Sequence, residues 1–277
     1  MMTLENNMPR GLDHIVHAVH DLDAAAALYR RLGFQVGARN VHPRVWGTQN
    51  HIVQFAGTYI ELLAVADESG IAPHAPRQFS FGAFNRDFLK RGEGLSMLVL
   101  EGRGAVDTDE FRTRGIGDFA LYEFEREGRR PDGTAIKLAF ALAFAAAPFA
   151  PEAGFFTSQH RYPENFWTPA FQLHLNGAER VVGVVAVADD PSRYRDFLLA
   201  FTGAAETRDT ESGFIIDLAR GQQVEVTVPE TFERRYWAAA PDVSSGLRLG
   251  AVRFFGPKFI PGREVAMGAM LVFEPSG

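Results

Sequence analysis

The chain contains no cysteine in 277 residues. Disulfides, thiol catalysis and thiolate-ligated zinc are excluded on that ground alone. Lysine is scarce, the basic residues being nearly all arginine, and the net charge is −6 at pH 7. Without a dense basic cluster there is no surface suited to a nucleic-acid backbone. Long apolar runs are also lacking. The longest, Leu138 to Ala147, is far short of a membrane span. Met1 to Arg10 carries acidic and amide side chains and no apolar stretch, so no signal peptide is expected there. Gly-x-Ser-x-Gly, Walker and His-Glu-x-x-His patterns are missing, and no glycines fall at phosphate-loop spacing. The expectation is a soluble, cytoplasmic protein with core enough for one large or two ordinary domains.

What is present begins with residues 11–34. Leu12, His14, Val16 and Ala18 alternate with Asp13, Ile15, His17 and Val19, which is the period of a strand. Asp21 is placed to cap a helix, and Leu22, Ala25, Ala26, Tyr29 and Leu32 recur at helical spacing before Gly33. One parity of the strand must pack on that helix, and His14 belongs to the other. His17 has the helix-facing parity of a structural histidine.

The same signals recur. Phe34 to Gly37 reads as a short strand, Asn40 to Gly47 as a loop, and Asn50 to Phe55 and Thr58 to Val65 as a hairpin turning at Ala56-Gly57. This makes a β-α-β-β-β unit. After a Pro-bearing linker (66–80) and a helical piece at Phe84 to Arg91, the pattern restarts. Its signals are a strand at Gly94 to Leu100, a helix at Asp107 to Gly115, strands at Ala120 to Glu127 and Ala135 to Ala145 around the turn Arg129 to Gly133, and a strand at Phe155 to Gln159. An irregular aromatic stretch follows. Arg180 to Ala188, a helix ending at Gly203, and strands at Phe214 to Ala219 and Gln222 to Val228 repeat the unit again. Gly246 to Phe255 and Ala269 to Phe273 suggest an abbreviated fourth. The domain reading is residues 10–160 as a first pair of modules, 161–178 as a connection and 179–277 as a second, degenerate pair. Segments 11–65 and 94–159 should superpose.

Three stretches resemble the vicinal oxygen chelate superfamily of glyoxalases and extradiol dioxygenases, in its glyoxalase-like branch. They are Gly11 to Phe34, His42 to His51 leading into Tyr59 to Leu63, and Gln159 to Trp167. The resemblance implies an α+β fold: tandem β-α-β-β-β modules paired into curved half-barrel sheets with helices outside. It also implies a metal-binding histidine on the first strand, although that scaffold hosts isomerases, lyases, dioxygenases and non-catalytic binding proteins alike.

Aligning the repeats by their own landmarks sets Met97 and Val182 opposite His14, and Ser158 and Glu225 opposite Glu61. His160 lies two residues beyond Ser158 with the same parity. The second pair therefore lacks the first-strand histidine. Its concavity is expected to be apolar at Val182, with Glu225 paired to an arginine or solvated. In the first pair His14, Glu61 and His160 form a candidate set for zinc, iron, manganese or nickel, with no organic cofactor. Glu61 and His51 are the candidate catalytic groups, Glu61 serving as a general base if no metal binds. Trp46, Asn50, Tyr59, Gln159 and Trp167 are the candidate pocket residues. A one-residue slip at His160 would put Gln159 in the cavity instead. His20, His42, His74 and His174 fall in turns or loops and carry no weight alone. The expected partner is a small-molecule substrate with adjacent oxygens, not nucleic acid or membrane, with a homodimer left open. The alternative is a non-catalytic binding or resistance protein on the same fold.

Overall fold

The first strand, β1 (Leu12–Ala18), is buried along its whole length. A computed structural model describes the chain at residues 8–129, 133–256 and 262–274. The Asp21 carboxylate accepts the Ala24 N–H at 2.9 Å and starts α1 (Leu22–Arg31), whose Leu22, Ala25, Ala26 and Tyr29 face the core. The helix stops at Gly33 (φ +84°), where a Cβ would lie 2.8 Å from Asn176. Residues 34–37 do not form the expected strand. Phe34 turns into the core against Phe55 and Phe254, and the Gln35 N–H is taken by His174 Nδ1. The short strand lies later, at β2 (Asn40–Val41), inside the expected loop. The hairpin follows as β3 (Thr48–Phe55) and β4 (Thr58–Val65), with β4 parallel to β1.

Helix α2 (Phe81–Leu89) begins three residues ahead of the expected start, because the Ser80 hydroxyl accepts the Ala83 N–H. The second unit is β5 (Gly94–Glu101), α3 (Ala105–Thr113), β6 (Tyr122–Arg129), β7 (Ala135–Ala145) and β8 (Gly154–His160). It repeats the first in order and pairing: β8 is parallel to β5, and β7 is antiparallel to both β8 and β6. Of the turn expected at Arg129 to Gly133, residues 130–132 lie outside the described residues; Arg129 pairs with Ala135 beside it. β1 and β5 run antiparallel and join the two units into one curved sheet.

The connection holds the single turn α4 (Pro163–Phe166) and a 3-10 turn at Pro169–Gln172. Then come β9 (Arg180–Val187), α5 (Arg195–Thr202), β10 (Arg208–Thr210), β11 (Gly213–Asp217), β12 (Gln223–Thr227), α6 (Pro229–Tyr236), β13 (Arg248–Phe255), β14 (Gly262–Ala266) and β15 (Ala269–Glu274). β9 pairs with β13 as β1 does with β5, and a contact between β13 and β5 carries the sheet across both halves. The architecture is α+β, with open curved sheets. No helix among the described residues is long and apolar enough to cross a membrane.

The two concave faces differ in what fills them. In the second half α6 lays Phe232 and Tyr236 onto Val185, Val187, Ala251 and Met270, so these rings cover the concave face at those positions. The residue opposite His14 is also shifted by one from expectation. Gly183 pairs with Gln223 as His14 pairs with Tyr59, so Gly183, not the half-buried Val182, takes that place. A Cβ on Gly183 would meet the Gln223 carbonyl at 2.8 Å, so no histidine fits. Glu225 is bound by Arg235 of α6 at 2.6 Å. In the first half, α2 and aromatic rings of β7 and β8 line the concavity without filling it.

Candidate functional site

Everything in the site depends on an irregularity in β1. Leu12 pairs with Leu100 and His14 with Val99, which leaves Asp13 as the extra residue of a bulge. Leu12 and Ile15 consequently share one core, while Asp13 and His14 both turn to the concave face. The His14 Nδ1–H donates to Asp13 Oδ1 at 2.5 Å, and the His160 Nε2–H donates to Asp13 Oδ2 at 3.0 Å. Burial alone would raise the Asp13 pKa, but the two imidazoles, His160 foremost, outweigh it and hold it down at about 2. An ionised carboxylate can only accept, so both of these ring nitrogens carry protons.

His14 is clamped between the rings of Tyr59, stacked at 4.3 Å, and Phe156, edge-on at 5.5 Å. Its Nε2 faces Glu61 Oε2 at 3.6 Å, too long for a direct hydrogen bond. Glu61, only 5% exposed, is held through its other oxygen by the Asn50 amide at 2.5 Å. The second Asn50 N–H donates to His42 Nε2 at 3.0 Å, and the His42 Nδ1–H donates to Thr48 at 2.8 Å. Asn40 in turn donates to the Asn50 carbonyl at 3.0 Å. Burial lowers the His42 pKa, partly opposed by Glu61, in keeping with a ring nitrogen that accepts from an amide. Burial also raises the Tyr59 hydroxyl well above its ordinary value, with Asp13 and Glu61 adding to it.

Between these groups lies a cavity of about 50 Å³, space for a water or a few substrate atoms, walled by Trp46, Phe81, Phe140 and Phe166. Ile52, Arg126 and Phe166 border both this cavity and an outer cleft of about 300 Å³. Glu61 thus presents one carboxylate oxygen to a small, largely aromatic chamber, beside an imidazole nitrogen.

The structure does not bring all the expected residues together. His14, Glu61, Trp46, Asn50 and Tyr59 line the cavity. His51 does not: strand alternation puts it on the face of β3 opposite Asn50 and Ile52, where its Nδ1–H donates to the Gly37 carbonyl at 2.8 Å. Gln159 likewise faces away from His160 on β8, its amide oxygen close to Gly104. Trp167 stands behind the site, stacked on His160 at 5.5 Å and outside the cavity wall. His160 reaches Asp13 and not Glu61. The expected metal set therefore does not converge. His14 keeps its Nε2 lone pair beside Glu61, but His160 lies on Asp13, the His42 Nε2 accepts from Asn50, and no group of three His, Asp or Glu among the described residues is arranged to hold a metal. Met97, opposite His14 in the repeat, packs against Asn85 and Gly154 away from the cavity.

Three residues of the site escaped the sequence reading. Asp13 was hidden by the bulge, and His42 by its place in an irregular stretch. Arg126 had a signal that was passed over. In Tyr122-Glu-Phe-Glu-Arg-Glu127 one parity is all glutamate and the other is aromatic save for this arginine. Its guanidinium has no hydrogen-bond or ion-pair partner among the described residues, and burial lowers its pKa, opposed by Tyr59 and Glu61.

Paired β-α-β-β-β modules curved around one concave polar site define a protein of the vicinal oxygen chelate class. A family model for the glyoxalase-like domain matches residues 12–202, more than half of the chain, and the chain belongs to that family. Among solved structures, a hypothetical protein from Staphylococcus aureus matches over 96% of this chain and 99% of its own, with a TM-score of 0.72 at 14% identity. A mutant of 4-hydroxymandelate synthase from Streptomyces coelicolor matches over 90% and 71%, with a TM-score of 0.52 at 12% identity. At such identities the likeness is one of fold. Comparison with curated proteins found no match.

Proposed function

We propose that this is a cytoplasmic small-molecule enzyme whose site lies in the first module pair, residues 10–160, and whose chemistry is proton abstraction by Glu61 at a carbon beside a carbonyl. The substrate carries adjacent oxygens, and the step is of the lyase or isomerase kind. The observation that carries this reading is the placement of Glu61: one oxygen fixed by Asn50, the other free in an aromatic chamber and 3.6 Å from His14 Nε2. A carboxylate so held is a positioned base. As the C–H bond breaks, its proton passes to Glu61, its electron pair forms the enolate C=C bond, and the carbonyl π pair moves onto the oxygen, toward the charge of Arg126. His14, fixed by Asp13, orients the base and can receive the proton from it. His160 acts through Asp13 as a positioning residue. No step is routed through a metal, because His160 lies on Asp13 and does not join His14 and Glu61 as a third ligand.

The test is solvent exchange. A panel of 2-oxo acids and 1,2-diketones is incubated in D2O with the protein and followed by proton NMR. Exchange next to a carbonyl by the wild type, abolished in Glu61→Gln, supports the reading. Exchange that survives in Glu61→Gln overturns it. Saturable binding without exchange favours the alternative, a binding or resistance protein.

A further inference from the structure

We propose that Arg126 is a carboxylate-binding residue, and that the natural ligand is a small amphipathic acid with its charged end at the neck between the two cavities and its apolar body in the outer cleft. The proposal rests on reading the Glu61 cavity as a substrate site.

The first observation is the position of Arg126, one of three residues that border both the inner cavity and the outer cleft. Anything that reaches Glu61 from the cleft passes its guanidinium. The second is its lack of a partner. Strand alternation sends the neighbouring glutamates to the other face of β6, where Glu123 pairs with Arg161 and Glu125 with Lys137. Arg126 lies instead on the face of Phe124, half-buried, with no hydrogen bond or ion pair to any described residue. A cation withdrawn from water without a partner is costly, and such a cost is retained where a ligand removes it. The third is that nearby polar groups are already engaged. Gln54 donates to the Phe166 carbonyl and accepts from the Thr168 N–H, Asn40 donates to Asn50, and Arg129 donates to the Gly133 carbonyl. Arg126 is thus the charged group at the neck without a partner among the described residues.

The chemistry of the occupant follows. A lone planar guanidinium fits a carboxylate through two parallel hydrogen bonds. A phosphate dianion would call for a second cation at the neck, and Arg129 borders only the outer cleft. Beyond the neck, Ile136, Leu138 and Phe171 give the cleft an apolar wall. Its volume of about 300 Å³ sits at the small end of ligand pockets, which fits a short-chain acid and not a polymer.

The experiment is calorimetric titration of the full chain with hexanoate, hexanamide and hexyl phosphate, repeated with Arg126→Gln and Arg126→Lys. Hexanoate should bind at least about tenfold more tightly than the amide, the difference between a charged and a neutral partner for a half-buried guanidinium. Arg126→Gln should erase that preference, and Arg126→Lys should keep part of it. Equal binding of acid and amide, no saturable hexanoate binding, or an undiminished preference in Arg126→Gln overturns the proposal. Tighter binding of hexyl phosphate than of hexanoate overturns the commitment to a carboxylate. The wild-type comparison of acid with amide stands even if a variant fails to fold. Glu61→Gln should bind hexanoate as tightly as the wild type or more so, since a nearby negative charge is gone. Acid binding that persists without any solvent exchange refutes the proton-abstraction reading alone. Exchange on a neutral diketone without acid preference refutes the Arg126 assignment alone.

Discussion

Replacing Asp13 by Asn tests the base of the site. The carboxylate is buried and accepts from His14 at 2.5 Å and His160 at 3.0 Å, and its pKa is held at about 2 against an ordinary 3.8. That shift corresponds to about 2 kcal/mol of stability. Because the folded-state value is the lower one, this stability is fully present above the unfolded value and is lost as pH falls through the folded one, roughly half of it by pH 3. The amide of Asp13→Asn has one acceptor oxygen for two imidazole donors, so its NH2 meets one ring N–H. Loss of a charge-assisted pair in the interior should cost about 2–4 kcal/mol at pH 7, or about 5–10 °C in Tm for a chain of this size. The assay is urea unfolding of both proteins at pH 7, 5, 4 and 3, followed by tryptophan fluorescence, to which Trp167, stacked on His160, contributes. The stability gap should narrow below pH 4. A gap that is small at pH 7, or that stays constant down to pH 3, would refute the claim that Asp13 is an ionised bridge between two imidazoles.

Further outcomes are expected from other parts of the molecule. The His42 ring should titrate below the ordinary histidine range by NMR, because burial disfavours its charged form; since unfolding frees it to protonate, its contribution to stability declines as pH falls below that range. His51→Ala should leave ligand binding intact and cost about 1 kcal/mol by thermal unfolding, the worth of its bond to the Gly37 carbonyl; a loss of binding would return His51 to the site. Glu61→Gln should unfold within a few degrees of the wild type, since the amide oxygen still accepts from Asn50, and a collapse of Tm would make Glu61 structural. Glu225→Ala should leave Arg235 without its partner and loosen α6, costing about 1–2 kcal/mol after allowance for the half-exposed arginine, measurable by proteolysis within 229–236.

The fold was legible because it rests on periodicity. Alternation in β1, helical spacing in α1 and the hairpin at Ala56-Gly57 recur in order along the chain, and each recurrence is a local signal. Glu61 was legible for a related reason: a carboxylate between Ile60 and Leu62 must have a use for its burial. What escaped depended on register. The bulge at Asp13 reverses the parity of one residue, and alternation alone cannot reveal it. A similar one-residue displacement put Val182 where Gly183 stands. His42 was hidden because its role comes from Asn50 and Thr48, which approach it across a strand pair. His51 and Gln159 were drawn in by residue type, although parity places each on the far face. The covering of the second concave face by α6, a helix the sequence reading did not assign, is a long-range fact.

The most direct measurement is a crystal structure of the protein soaked with a short-chain 2-oxo acid. The account expects the carboxylate on the Arg126 guanidinium at the neck and the carbon bearing the abstracted proton in the inner cavity, about 3–3.5 Å from the free oxygen of Glu61. A ligand bound beside Glu225 in the second half, or one in the first half with Glu61 turned away and Arg126 untouched, would contradict it.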